Sequence, residues 1–469
     1  MGLDVTTISE TLAEFAQRPL SDGGLDPALR MRIYALDTLA VMLAGTVAPS
    51  SAPVTRVLLS ACGTPEATIM AVGKATSAWD AALANGTFAH ALELDDDHRV
   101  AVLHPGAVVV PAALAAAEAA DASGTTFLHA LLVGYEVVCR LGEVFRGSQF
   151  YHGVHPTALC GVFGAAAAAA VAMDLDDDAF VRALGIAGTQ AAGLTEWRAD
   201  GSWIKRLHPG RAAQSGVLAA RLAREGFTGP ASIFEGPGGF FQAFSYGEPI
   251  DVGCMTRRLG EDYRALATAI KPYPCCRFEH GAIDLAIEAS GGDFAVADVA
   301  AVVVRLYRTD VLSYHHQPKN VVDAQFNVPY AVAVALLRGG VGLADFTEEA
   351  IQDEDVLALC RLIEVVEDPD YTARYPDEYC VELCLQLDDG SERRFFSDCP
   401  SGDPDAARYR SNTARLHEEV ERKTVAVLSD CGFGERAAPL TACVADLANA
   451  PDLHALCSIV GAPPEARVS

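Results

Sequence analysis

From residue 29 onward the chain repeats one texture. Leu29 to Leu43 carries apolar residues at helical spacing, among them Leu29, Ile33, Leu36 and Leu43. Segments around 76–95, 107–121, 126–143, 158–173, 178–190 and 211–225 repeat that spacing. It predicts a nearly all-helical region from residue 1 to about 265. Many of its helices are rich in small residues that permit close backbone approach. Thr157 to Met173 is mostly alanine with glycine. It reads as a tightly packed buried helix rather than a membrane span. The pattern changes after Lys271. Val299 to Leu306 is a β-branched run, Tyr379 to Leu387 alternates, and Asp389-Gly390 supplies a hairpin turn into Arg393 to Phe396. Helical spacing near 279–289, 329–338 and 347–363 separates these strands, and from Pro404 the pattern is helical again. The fold read from this pattern is mainly α. A large all-helical domain (1–267, with a C-terminal return at 403–469) carries an inserted α+β lid domain (268–402).

Composition narrows the function classes. At 469 residues and 51% apolar content the chain can build large cores. A formal charge of −27 argues against nucleic acid and anionic membrane as partners. Any site for an anionic ligand must therefore be locally basic. The 13 cysteines are scattered, with only Cys275-Cys276 adjacent and no CxxC pair, which excludes zinc ribbons and thioredoxin-like chemistry. They read as reduced, buried thiols of a cytoplasmic protein, with Cys380 and Cys384 facing one core. The start, Met1 to Thr6, has no basic or apolar signal region and indicates no export. It formally fits an N-myristoylation pattern, but nothing basic nearby would support membrane attachment.

Three of the 12 histidines directly precede proline: His104-Pro105, His155-Pro156 and His208-Pro209. Composition alone predicts roughly 0.6 such pairs. Proline suits the first turn of a helix and holds the preceding residue extended, which places each histidine at a helix mouth beside unpaired N–H groups. Such a mouth attracts anions and lowers an imidazole pKa. The plainer alternative is that the pairs only start helices.

Three constellations surround these pairs. Glu93-Leu94-Asp95-Asp96-Asp97-His98 precedes His104, and its adjacent carboxylates need cations, caps or a divalent ion to be buried. Orientation of histidine and lysine side chains is the preferred reading, with metal binding as the alternative. Asp200 to Arg211 concentrates Lys205, Arg206, His208 and Arg211 ahead of a helix N-terminus. That arrangement suits a carboxylate, the alternative being a surface basic patch. Lys271-Pro272-Tyr273-Pro274-Cys275-Cys276-Arg277 falls at the domain boundary, where two prolines can present Lys271 rigidly into an interdomain cleft. It can equally be a linker with incidental charges.

Together these stretches resemble the MmgE/PrpD family, which includes 2-methylcitrate dehydratases, cis-aconitate decarboxylases and iminodisuccinate epimerases. The resemblance spans nearly the whole chain. It rests on His90-Ala-Leu-Glu-Leu-Asp-Asp, His104-Pro-Gly-Ala, Gly134-Tyr-Glu-Val, His155-Pro-Thr, Gly185-Ile-Ala-Gly and Asp200-Gly-Ser. It continues through Lys205-Arg-Leu-His-Pro-Gly, Gly226-Phe-Thr-Gly-Pro, Lys271-Pro-Tyr-Pro-Cys-Cys and Val322-Asp-Ala-Gln-Phe. It implies the same helical domain with an inserted lid, a homodimer, and an interdomain active site with no cofactor and no metal. The resemblance assigns His104, His155, Lys205 and Lys271 to the site, with Asp97 and Glu93 lining it. His208, Arg206, Arg277 and Tyr330 stand as further substrate-binding candidates. One departure stands out: the family commonly has Asp-Asp-Thr where this chain has Asp95-Asp96-Asp97. A carboxylate in place of that hydroxyl disfavours a substrate carboxylate there.

The family's reactions share the making or quenching of a carbanion next to a carboxylate. Lysines can hold the developing charge and neutral histidines can move the proton. The expected activity is a cofactor-independent dehydratase of a β-hydroxy di- or tricarboxylate-like acid. His155 is expected as principal acid–base residue, His104 as its partner, and Lys205 and Lys271 as clamps. An epimerase, a decarboxylase of the cis-aconitate type and a non-catalytic ligand-binding relative are the alternatives.

Overall fold

The computed structural model describes residues 6–19, 27–61, 63–308, 312–406 and 413–464. The Met1-Gly2 pattern and part of the Pro404 segment lie outside the described residues. The protein is mainly α. The expected helices form at Pro27–Gly45, Gly106–Ala119, Gly124–Phe145, Pro156–Ala172 and Asp177–Gly188. Ser123 and Asp176 cap two of them by accepting the N–H groups of Thr126 and Ala179. Among the described residues no helix is long and apolar enough to cross a membrane.

Two helices depart from the sequence pattern in ways that build the site. The 76–95 segment is helical only over Ala78–Ala89, and the remainder is a loop carrying Glu93 to Asp97. The helix expected at 211–225 begins earlier, as Ile204–Arg224, so Pro209 lies inside it and His208 is not at its mouth. Proline there leaves the Lys205 carbonyl without its intrahelical partner. The helical texture also hid a short hairpin, Ala67–Ile69 with Lys74–Thr76.

Buried apolar side chains form two clusters. One runs from Leu12 to Val460 and includes the C-terminal helices through Leu416, Val420, Leu440 and Leu456. The other joins Phe150 and Trp197 to residues between Cys275 and Leu387. It covers a four-stranded sheet ordered Ile363–Glu367, Val299–Leu306, Val381–Leu387, Glu392–Ser397. The first pair is parallel and the other two antiparallel. The sequence spacing predicts a helix near 347–363, up to the residue where the first of these strands begins. That helix is only Glu354–Cys360, and the Ile-Glu-Val-Val-Glu run, rich in β-branched residues, pairs with Val299–Leu306 instead. The 12 described cysteines are free thiols, and Cys380 and Cys384 are both buried.

The two clusters are connected by chain crossings that run side by side. Asp97–His98 pairs antiparallel with Thr268–Ala269, and the Ile270 N–H donates to the Gly402 carbonyl at 2.9 Å. The acidic loop is thereby stitched to the segment that delivers Lys271.

A glycine contact sets the spacing of the helices that flank this loop. A Cβ on Gly210 would lie 2.3 Å from the Leu83 carbonyl oxygen and 2.5 Å from Thr87 Oγ1. The Ala78–Ala89 and Ile204–Arg224 helices can therefore touch only through glycine, which holds His90 near Lys205. Gly210→Ala is expected to lower stability by about 1–3 kcal/mol through overpacking and to reduce activity. Gly238→Ala, with no heavy atom within 4 Å of its Cβ, should leave both unchanged; thermal denaturation of the two variants makes the comparison.

Candidate active site

Each carboxylate of the acidic loop has a different environment. Asp95 accepts from His90 Nδ1 at 2.7 Å. Asp96 accepts the Gly106 N–H at 2.8 Å and the Tyr135 hydroxyl at 2.7 Å, so it caps the Gly106–Ala119 helix. Asp97 is buried, and its Oδ2 has no hydrogen-bond partner. His98 turns away and lies 3.1 Å from the Arg264 carbonyl oxygen.

Glu93 gathers the two lysines. Its backbone is left-handed, with φ 55°, a conformation that costs a non-glycine residue roughly 1 kcal/mol. Its carboxylate pairs with Lys205 in a short contact and lies 3.6 Å from Lys271. The Lys271 ammonium also donates to the Glu93 carbonyl at 3.1 Å. Lys205 donates in addition to His90 Nε2 at 2.9 Å. The chain of contacts is thus Asp95, His90, Lys205, Glu93, Lys271, all of it buried.

The histidines take up complementary states. His104 Nδ1 lies 2.7 Å from the Asp96 carbonyl oxygen. A carbonyl only accepts, so Nδ1 carries the proton and Nε2 keeps its lone pair. His155, at the N-cap of Pro156–Ala172, has its Nδ1 3.1 Å from His208 Nδ1. One of that pair must donate to the other. Burial lowers the pKa of both His104 and His155 well below the ordinary imidazole value. Lys271 adds to the effect at His104 and Lys205 at His155, while Asp95 opposes it at His104. Burial, His90 and Lys205 lower His208 to about 4. These three rings are therefore neutral near pH 7.

Glu93, Asp97, His104, His155, Lys205, Lys271 and Arg277 line one cavity of about 40 Å³, closed by Val102, Phe150, Trp197, Cys276, Phe278 and Phe326. Arg277 is anchored to the Ser401 carbonyl at 2.6 Å and lies 3.7 Å from Asp403. His208 sits behind His155 rather than in the cavity wall. Arg206 is elsewhere: it reaches Ser50 and Gln325 and lines a larger cleft of about 700 Å³ that holds none of the histidines or lysines. Tyr330 is also elsewhere. It lies in the second core, with its hydroxyl donating to the Asp345 carbonyl. His90 also belongs to the site although sequence reasoning gave it no role of its own, and Asp95, read only as part of the acidic run that orients histidines and lysines, is its partner. The signal available was their five-residue spacing, which spans the end of a helix.

Ring nitrogens of His90, His104 and His155 lie within 4.8 Å of one another, a group with the ligand type for a divalent ion. The Lys205 ammonium, 2.9 Å from His90 Nε2, already takes the lone pair that an ion would need. These residues therefore fit an ammonium better than a metal.

Electrostatically, the loop separates its acids. Burial opposes ionisation of Glu93 and Asp95. For Glu93 this is outweighed by Lys205 and Lys271, and for Asp95 by the hydrogen bond from His90 and by Lys271; both stay well below the usual carboxylate range. Asp97 has no such partner, and burial pushes it up to about 6 despite Lys271 and Arg277. Its folded value exceeds the unfolded one, about 3.9. The folded state therefore loses stability as pH rises between those values, on the order of 2–3 kcal/mol in all. Asp97→Asn is expected to raise the melting temperature at pH 8, with the gain shrinking towards pH 4.5. A melting series across that range checks the sign.

The N-terminal domain model of the MmgE/PrpD family matches residues 10–252, and its C-terminal domain model matches residues 273–423. A cis-aconitate decarboxylase-like protein, oryM, of Aspergillus oryzae is 29% identical over 397 residues, covering 79% of this chain and 81% of that protein. The cis-aconitate decarboxylase of Aspergillus terreus is 30% identical over 344 residues, covering 68% and 69%. The Homo sapiens cis-aconitate decarboxylase is 29% identical over 326 residues, covering 66% of each.

Proposed function

Because the chain belongs to the MmgE/PrpD family, we propose that it is a cofactor-independent lyase that dehydrates a β-hydroxy di- or tricarboxylate-like acid. The supporting observation is a pair of neutral histidines in complementary states at one cavity. His104 offers a lone pair at Nε2. His155 can hold its proton at Nε2 when His208 donates to its Nδ1. Dehydration needs both a base and an acid; decarboxylation needs only an acid to quench the carbanion.

In this reading Lys205 and Lys271 hold the substrate carboxylate and the enediolate charge that grows on it. His104 removes the proton from the adjacent carbon. The C–H electrons form the double bond as the C–O bond breaks, and His155 protonates the departing hydroxyl to give water. The positive charge of Lys205 makes His155 a readier donor. His104 gains one proton from the substrate carbon and His155 gives a different one to the departing hydroxyl, so the proton count of the pair is unchanged over the step. In this reading His104 is the base and His155 the acid, an assignment that the sequence leaves open. The second core forms the lid that seals the cavity.

A second reading, carboxy-lyase, is favoured by the similarity to cis-aconitate decarboxylases at 29–30% identity. Incubation with hydroxy- and unsaturated polycarboxylates in D₂O, followed by mass spectrometry, separates the two. Gain or loss of water supports the dehydratase, loss of CO₂ the carboxy-lyase, and deuterium uptake alone an epimerase. Under the dehydratase reading His104→Ala, His155→Ala and Lys205→Ala should each lower kcat by about 10²-fold or more. Folded variants with full turnover would reject the assignment.

A further inference from the structure

Asp97 stands apart from the other carboxylate in the cavity wall. Glu93 has both lysines, Asp95 has His90, and Arg277 has Asp403 and two backbone carbonyls. Asp97 is 4% exposed and lines the cavity, yet its Oδ2 has no partner. Its other oxygen lies 3.8 Å from His104 Nδ1, whose proton is already given to the Asp96 carbonyl. A buried acceptor left unpaired costs about 1–3 kcal/mol, and the cavity beside it has room for only a few waters.

We infer that Asp97 is a specificity-determining residue that accepts a hydrogen bond from a hydroxyl or ammonium group on the substrate. The substrate class is thus a hydroxy- or amino-substituted polycarboxylate with a donor, not a carboxylate, at that position. This rests on the lyase reading for the rest of the site. The charge balance agrees with it. Each cation at the cavity already faces a protein anion, so a third substrate carboxylate beside Asp97 would meet repulsion that only the unpartnered Arg277 Nε is placed to offset. A hydroxyl or ammonium meets an empty acceptor instead. Burial also favours the match: satisfying Oδ2 removes the penalty of leaving it alone, and a ligand without the donor preserves that penalty. This is the type of site that discriminates strongly between a substrate and its analogue lacking one polar group.

The test uses binding rather than turnover, so its outcome is independent of which bond the enzyme breaks. Calorimetric titration at pH 8 compares malate and aspartate with succinate, and citrate with tricarballylate and cis-aconitate. In the wild type the donor-bearing acid is expected to bind about ten- to a hundredfold tighter than its plain counterpart. Malate against aspartate tells hydroxyl from ammonium. In Asp97→Ala the preference should collapse, and in Asp97→Thr tricarballylate and cis-aconitate should gain affinity. Equal or absent binding across the wild-type panel, or a preference retained in Asp97→Ala, overturns the inference. Asp97→Asn, which removes charge without changing size, guards against a folding artefact. If the preference holds while no substrate in D₂O changes mass, the lyase reading fails and the recognition by Asp97 stands.

Discussion

The site depends on one buried carboxylate shared by two buried ammonium groups. Taking three ions out of water costs several kcal/mol each unless their geometry repays it. Glu93 repays it with contacts to Lys205 and Lys271 and through its own carbonyl. The three residues come from separate places: the loop after Ala78–Ala89, the first turn of Ile204–Arg224, and the crossing at Thr268–Ala269 and beyond. None of these segments can move alone without leaving a charge unmatched in the interior. The same constraint explains why Glu93 tolerates a left-handed backbone. The surrounding pairs determine its position more strongly than its local conformational preference does.

From that hub the loop distributes its remaining acids by environment. Asp95 is pinned by His90, Asp96 serves as a helix cap, and Asp97 is left to the cavity. Chemically identical side chains in sequence thus acquire three roles. The histidines are treated likewise. A backbone carbonyl fixes the His104 tautomer, while His155 and His208 share one Nδ1–Nδ1 contact in which one ring must donate to the other. Protonation states here are set by which partner can only accept, which sequence does not display.

Much of this was legible, and its limits have physical causes. His104 and His155 precede prolines that begin helices, so their placement followed from proline's geometry. His208 also precedes a proline, but Ile204–Arg224 tolerates Pro209 inside it, and the rule misplaced the residue. It still reached the site, because residues three apart share a helix face and His208 is three beyond Lys205. Arg206, one residue on, is turned about 100° around the same helix and faces the larger cleft with Ser50 and Gln325. Tyr330 lies on a helix buried nearly all round, where a tyrosine hydroxyl finds a carbonyl rather than a ligand. Periodicity separates buried faces from exposed ones. It does not separate two buried faces, and in an alanine-rich bundle most faces are buried.

The aromatic part of the cavity wall carries a last consequence. Trp197 and Phe326, with ring centroids 5.2 Å apart, stand between the cavity and a neighbouring cleft of about 400 Å³ that they also line. Both rings lie within 6 Å of the Lys205 ammonium, close enough for cation–π attraction. The aromatic wall is therefore in contact with one of the two cations that Glu93 holds. The two rings cover Lys205 on that side and keep water from it, and in a drier site each of its electrostatic contacts is stronger.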